Sequence, residues 1–190
     1  MKETLKLIIV LTVICLLAGF ALAGVYSITR NRISLAKQQE MLAALENVLP
    51  DYDNKPIDNK FETTESGNEW IFYIARKDGI FSGAAFETSS IQGYGGIIKV
   101  MVGIGADNNI EAIEILEQTE TPGLGAKIET EEFKGQFRNK GVVNLDWCKV
   151  RKDGGEIDAI TGATISSRAV AEALRKGLES FEKYRSEIEK

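Results

Sequence analysis

The chain has 190 residues, 28 acidic against 23 basic side chains, no histidine and two cysteines, Cys15 and Cys148. Without an imidazole there is no Ser-His-Asp or Cys-His catalysis and the commonest transition-metal ligand is missing; two distant cysteines build neither a zinc nor an iron–sulfur site. Redox chemistry, if present, then requires a bound organic cofactor, and a net charge of −5 separately argues against a nucleic-acid partner.

The charge is unevenly placed. Lys2, Lys6, Arg30, Arg32 and Lys37 stand against Glu3 alone in residues 1–37, a net of +4 that leaves −9 on the rest. Leu7 to Thr29 is a run of 23 residues without a charge, flanked by Lys6 and Arg30. At about 1.5 Å per residue such a helix spans a bilayer. Ala21-Leu22-Ala23 also has the small-x-small form of a signal-peptide cleavage site. The apolar run continues past it and is long for a cleaved signal, which favours an uncleaved anchor. Flanking charge leaves the orientation open, because basic residues stand on both sides.

Leu35, Leu42, Leu45 and Leu49 recur at near-heptad spacing before Pro50, predicting a helix over 31–49 that packs on its own domain or on a partner helix. Asp51 to Asn68 is polar and predicts a loop. Chain organisation then reads as an anchor over 1–29, a juxtamembrane helix and linker over 30–68, and a folded domain over 69–190.

The domain begins with alternating residues. Trp70 to Arg76 and Ile80 to Phe86 flank Lys77-Asp78-Gly79, a hairpin signature. Gly93-Tyr94-Gly95-Gly96 predicts a tight turn or a loop pressed on a ligand. Ile97 to Ile104 and Ile110 to Leu116 form a second strand pair across Asp107-Asn108-Asn109. Pro122-Gly123 is a turn, and Leu124 between two glycines is either presented at a loop tip or tucked into the core. Ala126 to Phe133 predicts a short helix. Val142 to Val150 and Glu156 to Ile160 predict strands separated by Lys152-Asp153-Gly154-Gly155.

Asp158 to Ser167 joins an apolar approach to a small, hydroxyl-rich turn and then a helix. Thr161, Thr164, Ser166 and Ser167 offer hydroxyls where the helix begins. Such a start is either an ordinary Ser/Thr N-cap or a phosphate site made of free amides and the helix dipole. The helix extends over 166–187, with Val170, Leu174, Gly177, Phe181, Tyr184 and Ile188 forming its core stripe. The fold class expected is α+β: antiparallel hairpins and a long C-terminal helix, on a single N-terminal transmembrane helix.

Gly93-Tyr94-Gly95-Gly96, then Glu120-Thr121-Pro122-Gly123-Leu124-Gly125, then Thr161-Gly162-Ala163-Thr164 stand in the order found in FMN-binding domains. The whole chain, anchor included, resembles the G subunit of the Rnf electron-transport complex. It is also similar to the C subunit of the sodium-translocating NADH:quinone reductase, though the short region between anchor and domain favours the Rnf branch. The resemblance implies FMN joined through its phosphate to the last threonine of the signature, Thr164. It implies attachment by a separate magnesium-dependent flavin transferase with FAD as donor, and a soluble domain outside the cytoplasm. Partners are then the other subunits of a membrane complex that couples ferredoxin and NAD electron transfer to Na⁺ or H⁺ translocation. On this reading the chain carries electrons and has no substrate site of its own.

The residues agree with that reading. Thr161, Gly162 and Ala163 frame the phosphate, and Lys127 and Arg168 are nearby cations. Leu124 is expected on the isoalloxazine face, Thr121 and Glu120 at its edge, and Tyr94 closing the site, with Gly93 and Gly125 leaving backbone clear for the ligand. Asp158 is either a backbone cap or a contact used during loading. Two rivals are a membrane-anchored binding or scaffold module with unmodified Thr164, and a hydrolase built on a hydroxyl, which lacks a histidine base.

Overall fold

Alternation and turn chemistry build a single sheet. The computed structural model describes residues 2–65 and 67–190. It contains five antiparallel strands in the order β1-β2-β3-β4-β5: β1 (Lys60–Glu65), β2 (Asn68–Lys77), β3 (Ile80–Ser90), β4 (Ile98–Gly105) and β5 (Ile110–Glu117). Neighbours in sequence are neighbours in space, as short hairpin connections dictate. Asp78 and Gly79 both take positive φ at the β2–β3 turn, the backbone that an Asp-Gly pair supplies.

The chain divides into two units, Met1–Met41 and Leu42–Lys190. Most of the first is the apolar part of one helix, α1 (Lys2–Val48), long and apolar enough to cross a membrane, as a single-pass anchor requires. The predicted anchor and juxtamembrane helices are therefore continuous. The second unit begins with the last turns of α1, where Ala44, Leu45 and Val48 are buried, as is Leu49 just beyond the helix.

Each face of the sheet is covered by a helix segment. On one face, Phe72, Phe86 and Val102 pack beneath α3 (Thr164–Ile188); the rings of Phe86 and Phe181 stack at 6.2 Å. Burying each such ring stabilises the fold by about 1.5–3 kcal/mol. The α3 stripe read from the sequence is the one that packs: Val170, Leu174, Gly177, Phe181 and Ile188 are buried. The other face is lined by small residues and receives the end of α1. A Cβ on Gly103 would lie 1.9 Å from the Val48 carbonyl oxygen, and one on Gly83 would lie 2.9 Å from the Pro50 ring.

Two segments differ from their sequence reading. The stretch 51–68, expected to be loop, contains β1. Its composition (Lys60-Phe61-Glu62-Thr63-Thr64-Glu65) is polar because it is an edge strand, with Phe61 alone packing against the core. Conversely, 142–150 and 156–160 are not strands and share only one parallel bridge, Val150 with Ile157. Asn144 Oδ1 accepts the Asp146 amide at 3.0 Å, and the Cys148 amide turns back to the Leu145 carbonyl. Side-chain competition for the backbone replaces a ladder there. The predicted helix at 126–133 is a 3₁₀ turn (Gly125–Glu129) followed by α2 (Glu131–Lys134).

Candidate functional site

Three loops meet at one end of the sheet. β3 leaves it at Ser90 and β4 returns at Ile98, so residues 91–97 form the Gly-rich loop. β5 ends beside the start of β4, which puts the 118–125 loop at the same end. α3 is tied to the end of β3 in its third turn, where Ser90 Oγ donates to Glu172 at 2.8 Å.

Glu120 joins the three. It is 6% exposed. Its Oε1 accepts the Gly95 amide at 3.1 Å and its Oε2 accepts the Ser166 hydroxyl at 2.7 Å. This carboxylate is what crowds Gly125, where a Cβ would lie 2.5 Å from Oε2; at Gly93 a Cβ would meet the Gly96 carbonyl oxygen first, at 2.3 Å, and Oε1 at 2.7 Å. Gly95 presses instead on the Thr119 carbonyl, at 2.0 Å from a built Cβ, and Thr119 Oγ1 donates to the Gly95 carbonyl at 2.8 Å. The crowding of Gly93, Gly95 and Gly125 is thus internal. Glu120 faces inward, with both oxygens engaged within the chain, where the sequence reading had it at a ligand's edge.

The turn before α3 is set by Gly162 at φ +81° and by Ser167. The buried Ser167 hydroxyl accepts the Ile160 amide at 3.0 Å and donates to the Ala163 carbonyl at 3.1 Å. Ser167 therefore braces the turn, a role the sequence reading did not separate from those of its neighbours. The N-cap is Ala163, which has no side-chain acceptor, and no side chain caps the helix. An ordinary Ser/Thr cap is not what forms. Thr164 is the first helical residue and is half-buried, and its hydroxyl has no hydrogen-bond partner among the described residues. The first-turn amides and the positive end of the helix dipole are left for an anion.

Leu124 is presented rather than buried. It is 45% exposed, and its Cδ2 stands 3.3 Å from where a Gly162 Cβ would be. The tip of one motif thus rests on the turn of another. Thr121, Thr161 and Tyr94 are exposed on the same group of loops.

The two expected cations separate. Arg168 is committed to Asp153, with Nε and Nη2 donating at 2.6 and 2.7 Å, and the guanidinium holds the Asp153 carboxyl below the usual carboxylate range. Lys127 is exposed and makes no ion pair among the described residues. Asp158 neither caps the turn nor stands free: its carboxylate pairs with Arg151 at 2.6 Å. Cys148 is a buried thiol that donates to the Ala171 carbonyl at 3.3 Å, and burial pushes it up to about 12. A cleft of about 810 Å³ runs along α3, lined by Ile91, Gln92, Lys149, Arg175 and Glu179 among others. None of the motif residues lines it, so cleft size and site chemistry point to different places. The convergence of three motifs on Glu120 and Thr164 is the stronger indicator.

Comparison with known proteins adds to this geometry. Residues 93–179, which hold all three motifs, match the FMN-binding domain family. The chain is 34% identical over 192 residues to the G subunit of the ion-translocating oxidoreductase complex of Aliivibrio fischeri, covering 91% of this chain and 90% of that protein. It is 35% identical over 182 residues to the corresponding G subunit of Methanosarcina acetivorans, covering 94% of each. Among solved structures, NqrC of Shewanella oneidensis superposes with a TM-score of 0.54 at 21% identity, over 67% of this chain and 68% of that one, a likeness of fold. The C subunit of the Na⁺-translocating NADH-quinone reductase of Parabacteroides distasonis gives a TM-score of 0.50 at 26% identity, over 61% and 62%. With a third of its residues shared along nine-tenths of its length, and the FMN-binding motifs gathered at one end of its sheet, the chain belongs to the family of G subunits of ion-translocating oxidoreductase complexes.

Proposed function

We propose that this chain is an electron-carrying subunit of a membrane-bound oxidoreductase complex, with FMN joined through its phosphate to the Thr164 hydroxyl. One observation carries the reading: Thr164 opens α3 with an unpartnered hydroxyl, beside first-turn amides that no side chain caps. Gly162 and Ala163 leave that backbone accessible, and an anion at a helix start gains from both the amides and the dipole.

FMN supplies the redox chemistry when bound, and the protein supplies position and electrostatics. The first-turn amides of α3 would hold the phosphate, with Thr161 beside them, and Lys127, which makes no ion pair among the described residues, would add a positive charge. Leu124, held at Gly162, offers an apolar surface to the flavin ring, with Tyr94 and Thr121 at the margin. Glu120, Gly93 and Gly125 form the packed floor on which that loop stands. Thr164 is an attachment point and not a nucleophile in turnover, so the chain has no catalytic residue of its own.

The relatives' name supports membership of an ion-translocating complex. By the resemblance to the Rnf type, electrons pass between ferredoxin and NAD and drive Na⁺ or H⁺ across the membrane. Residues 1–29 serve as a single-pass anchor with the soluble part on the extracytoplasmic side, and a flavin transferase loads Thr164 during maturation. Intact mass followed by peptide mapping, on protein from its native membrane, tests the reading. The expected result is a gain of one FMN less one water on the peptide containing Thr164. An unmodified mass from cells with an active flavin transferase overturns it and leaves a non-redox scaffold module as the alternative.

A further inference from the structure

We infer that Glu120 is the positioning residue of this site: its buried carboxylate locks the Gly-rich loop to the start of α3 and so fixes how Thr164 is presented. The role in loading rests on the reading of Thr164 given above; the lock itself does not.

A carboxylate at 6% exposure is costly to bury, and it persists only when its lone pairs are met. Here no cation pairs with it among the described residues. Two neutral donors meet it, the Gly95 amide from the Gly-rich loop and the Ser166 hydroxyl from the first turn of α3. Gly125 has no room for a side chain beside it, and a Cβ on Gly93 would stand 2.7 Å from it as well as against the Gly96 carbonyl. The Gly-rich loop, the 120–125 loop and the first turn of α3 therefore meet at one carboxylate, more than a loop staple needs.

The consequence for Thr164 follows from helix geometry. Ser166 lies two residues after Thr164, about 200° around the helix. Drawing Ser166 inward onto Glu120 turns Thr164 outward, where it is half-buried with its hydroxyl free. Ser166 is also the third residue of α3, so the carboxylate lies near the positive end of the dipole, which lowers the cost of the buried charge.

The test uses the full chain in detergent with three variants: Glu120→Ala, Glu120→Gln and, as a control for packing lost away from the site, Phe61→Ala on the edge strand. Two quantities are measured: the rate of covalent FMN attachment by mass, with flavin transferase, FAD and Mg²⁺, and hydrogen exchange of the Gly95 amide in the unloaded protein. Glu120→Ala is expected to slow loading and speed Gly95 exchange about tenfold or more each, as loss of a hydrogen bond to a charged group implies. Glu120→Gln keeps the shape, with an amide oxygen for Gly95 and an NH₂ to donate to the Ser166 oxygen, and recovers most of both. Phe61→Ala loads at the wild-type rate, which shows that lost packing away from the site does not by itself slow loading. If Glu120→Ala loads like Phe61→Ala and leaves Gly95 exchange unchanged, the inference is overturned. Wild-type protein that takes up no FMN counts against the reading of Thr164, and the exchange arm still decides whether Glu120 is a lock.

Discussion

The Ser166 hydroxyl donates to Glu120 Oε2 at 2.7 Å, joining residues 46 apart in sequence inside a region where both side chains are buried. Removing the donor leaves a buried carboxylate oxygen without its hydrogen-bond partner. Ser166→Ala is therefore expected to destabilise the fold by about 1–3 kcal/mol, although alanine is the better helix former. Denaturant unfolding of the full chain, followed by the near-ultraviolet signal of its aromatic core, measures this. An unchanged midpoint would mean that Glu120 finds another donor.

A second substitution reverses the sign that helix propensity assigns. Gly177 stands in the middle of α3, where alanine ordinarily stabilises by about 1 kcal/mol. Here a Cβ would lie 2.3 Å from Phe86 Cε2 and 3.1 Å from Thr88 Cβ. Phe86 is fully buried and touches the rings of Phe72, Trp70 and Phe181, so it has nowhere to move. Overpacking of this kind costs about 1–3 kcal/mol, which outweighs the propensity gain. Gly177→Ala should lower the melting temperature; a rise would show that α3 can lift off the sheet at little cost.

What could be read from the residues alone followed strength of pattern. The β2–β3 and β4–β5 hairpins were legible because alternation and Asp-Gly or Asp-Asn turns agree. The α3 stripe was legible because six apolar or small positions repeat at helical spacing. β1 was hidden by its edge position, which asks for only one core residue, Phe61. Residues 142–150 looked like a strand by composition, yet Asn144 and Trp147 bind the local backbone and prevent a ladder. At the site, the glycines of the motifs announced close approach but not to what. The partner at Gly125 is Glu120, and at Gly93 it is the Gly96 carbonyl together with Glu120; no local pattern tells a buried carboxylate from one at a ligand's edge.

The ion pair between Asp153 and Arg168 ties the 151–155 turn to α3 and gives a pH dependence of defined sign. Asp153 is held below its ordinary value of 3.8, chiefly by its hydrogen bonds to the Arg168 guanidinium. A carboxyl depressed in the folded state adds stability in full above its unfolded value and loses it as pH falls through the folded value. The contribution is thus present at neutral pH and disappears only in acid below about pH 4, and it is small because the pair is solvated. Carbon-detected titration of Asp153 should show a low midpoint that returns toward 3.8 in Arg168→Gln. A midpoint that stays low without Arg168 would assign the shift to another source.

Thr164→Val separates structure from cofactor chemistry. Valine has nearly the size of threonine, the hydroxyl it replaces has no partner among the described residues, and the position is half-buried. Surface changes of this kind alter stability by less than about 0.5 kcal/mol. The β-branch is retained, so the helix start is not strained by a new rotamer. Thr164→Val should therefore fold and melt as the wild type does while losing all covalently bound FMN, read as the absent mass on that peptide and the absent flavin absorbance after denaturation. Retained flavin absorbance in denatured Thr164→Val would move the attachment to another hydroxyl, with Thr161 the first to examine since it is exposed on the same turn. Loss of flavin together with a fall in melting temperature of several degrees would instead give Thr164 a structural part that its free hydroxyl does not suggest.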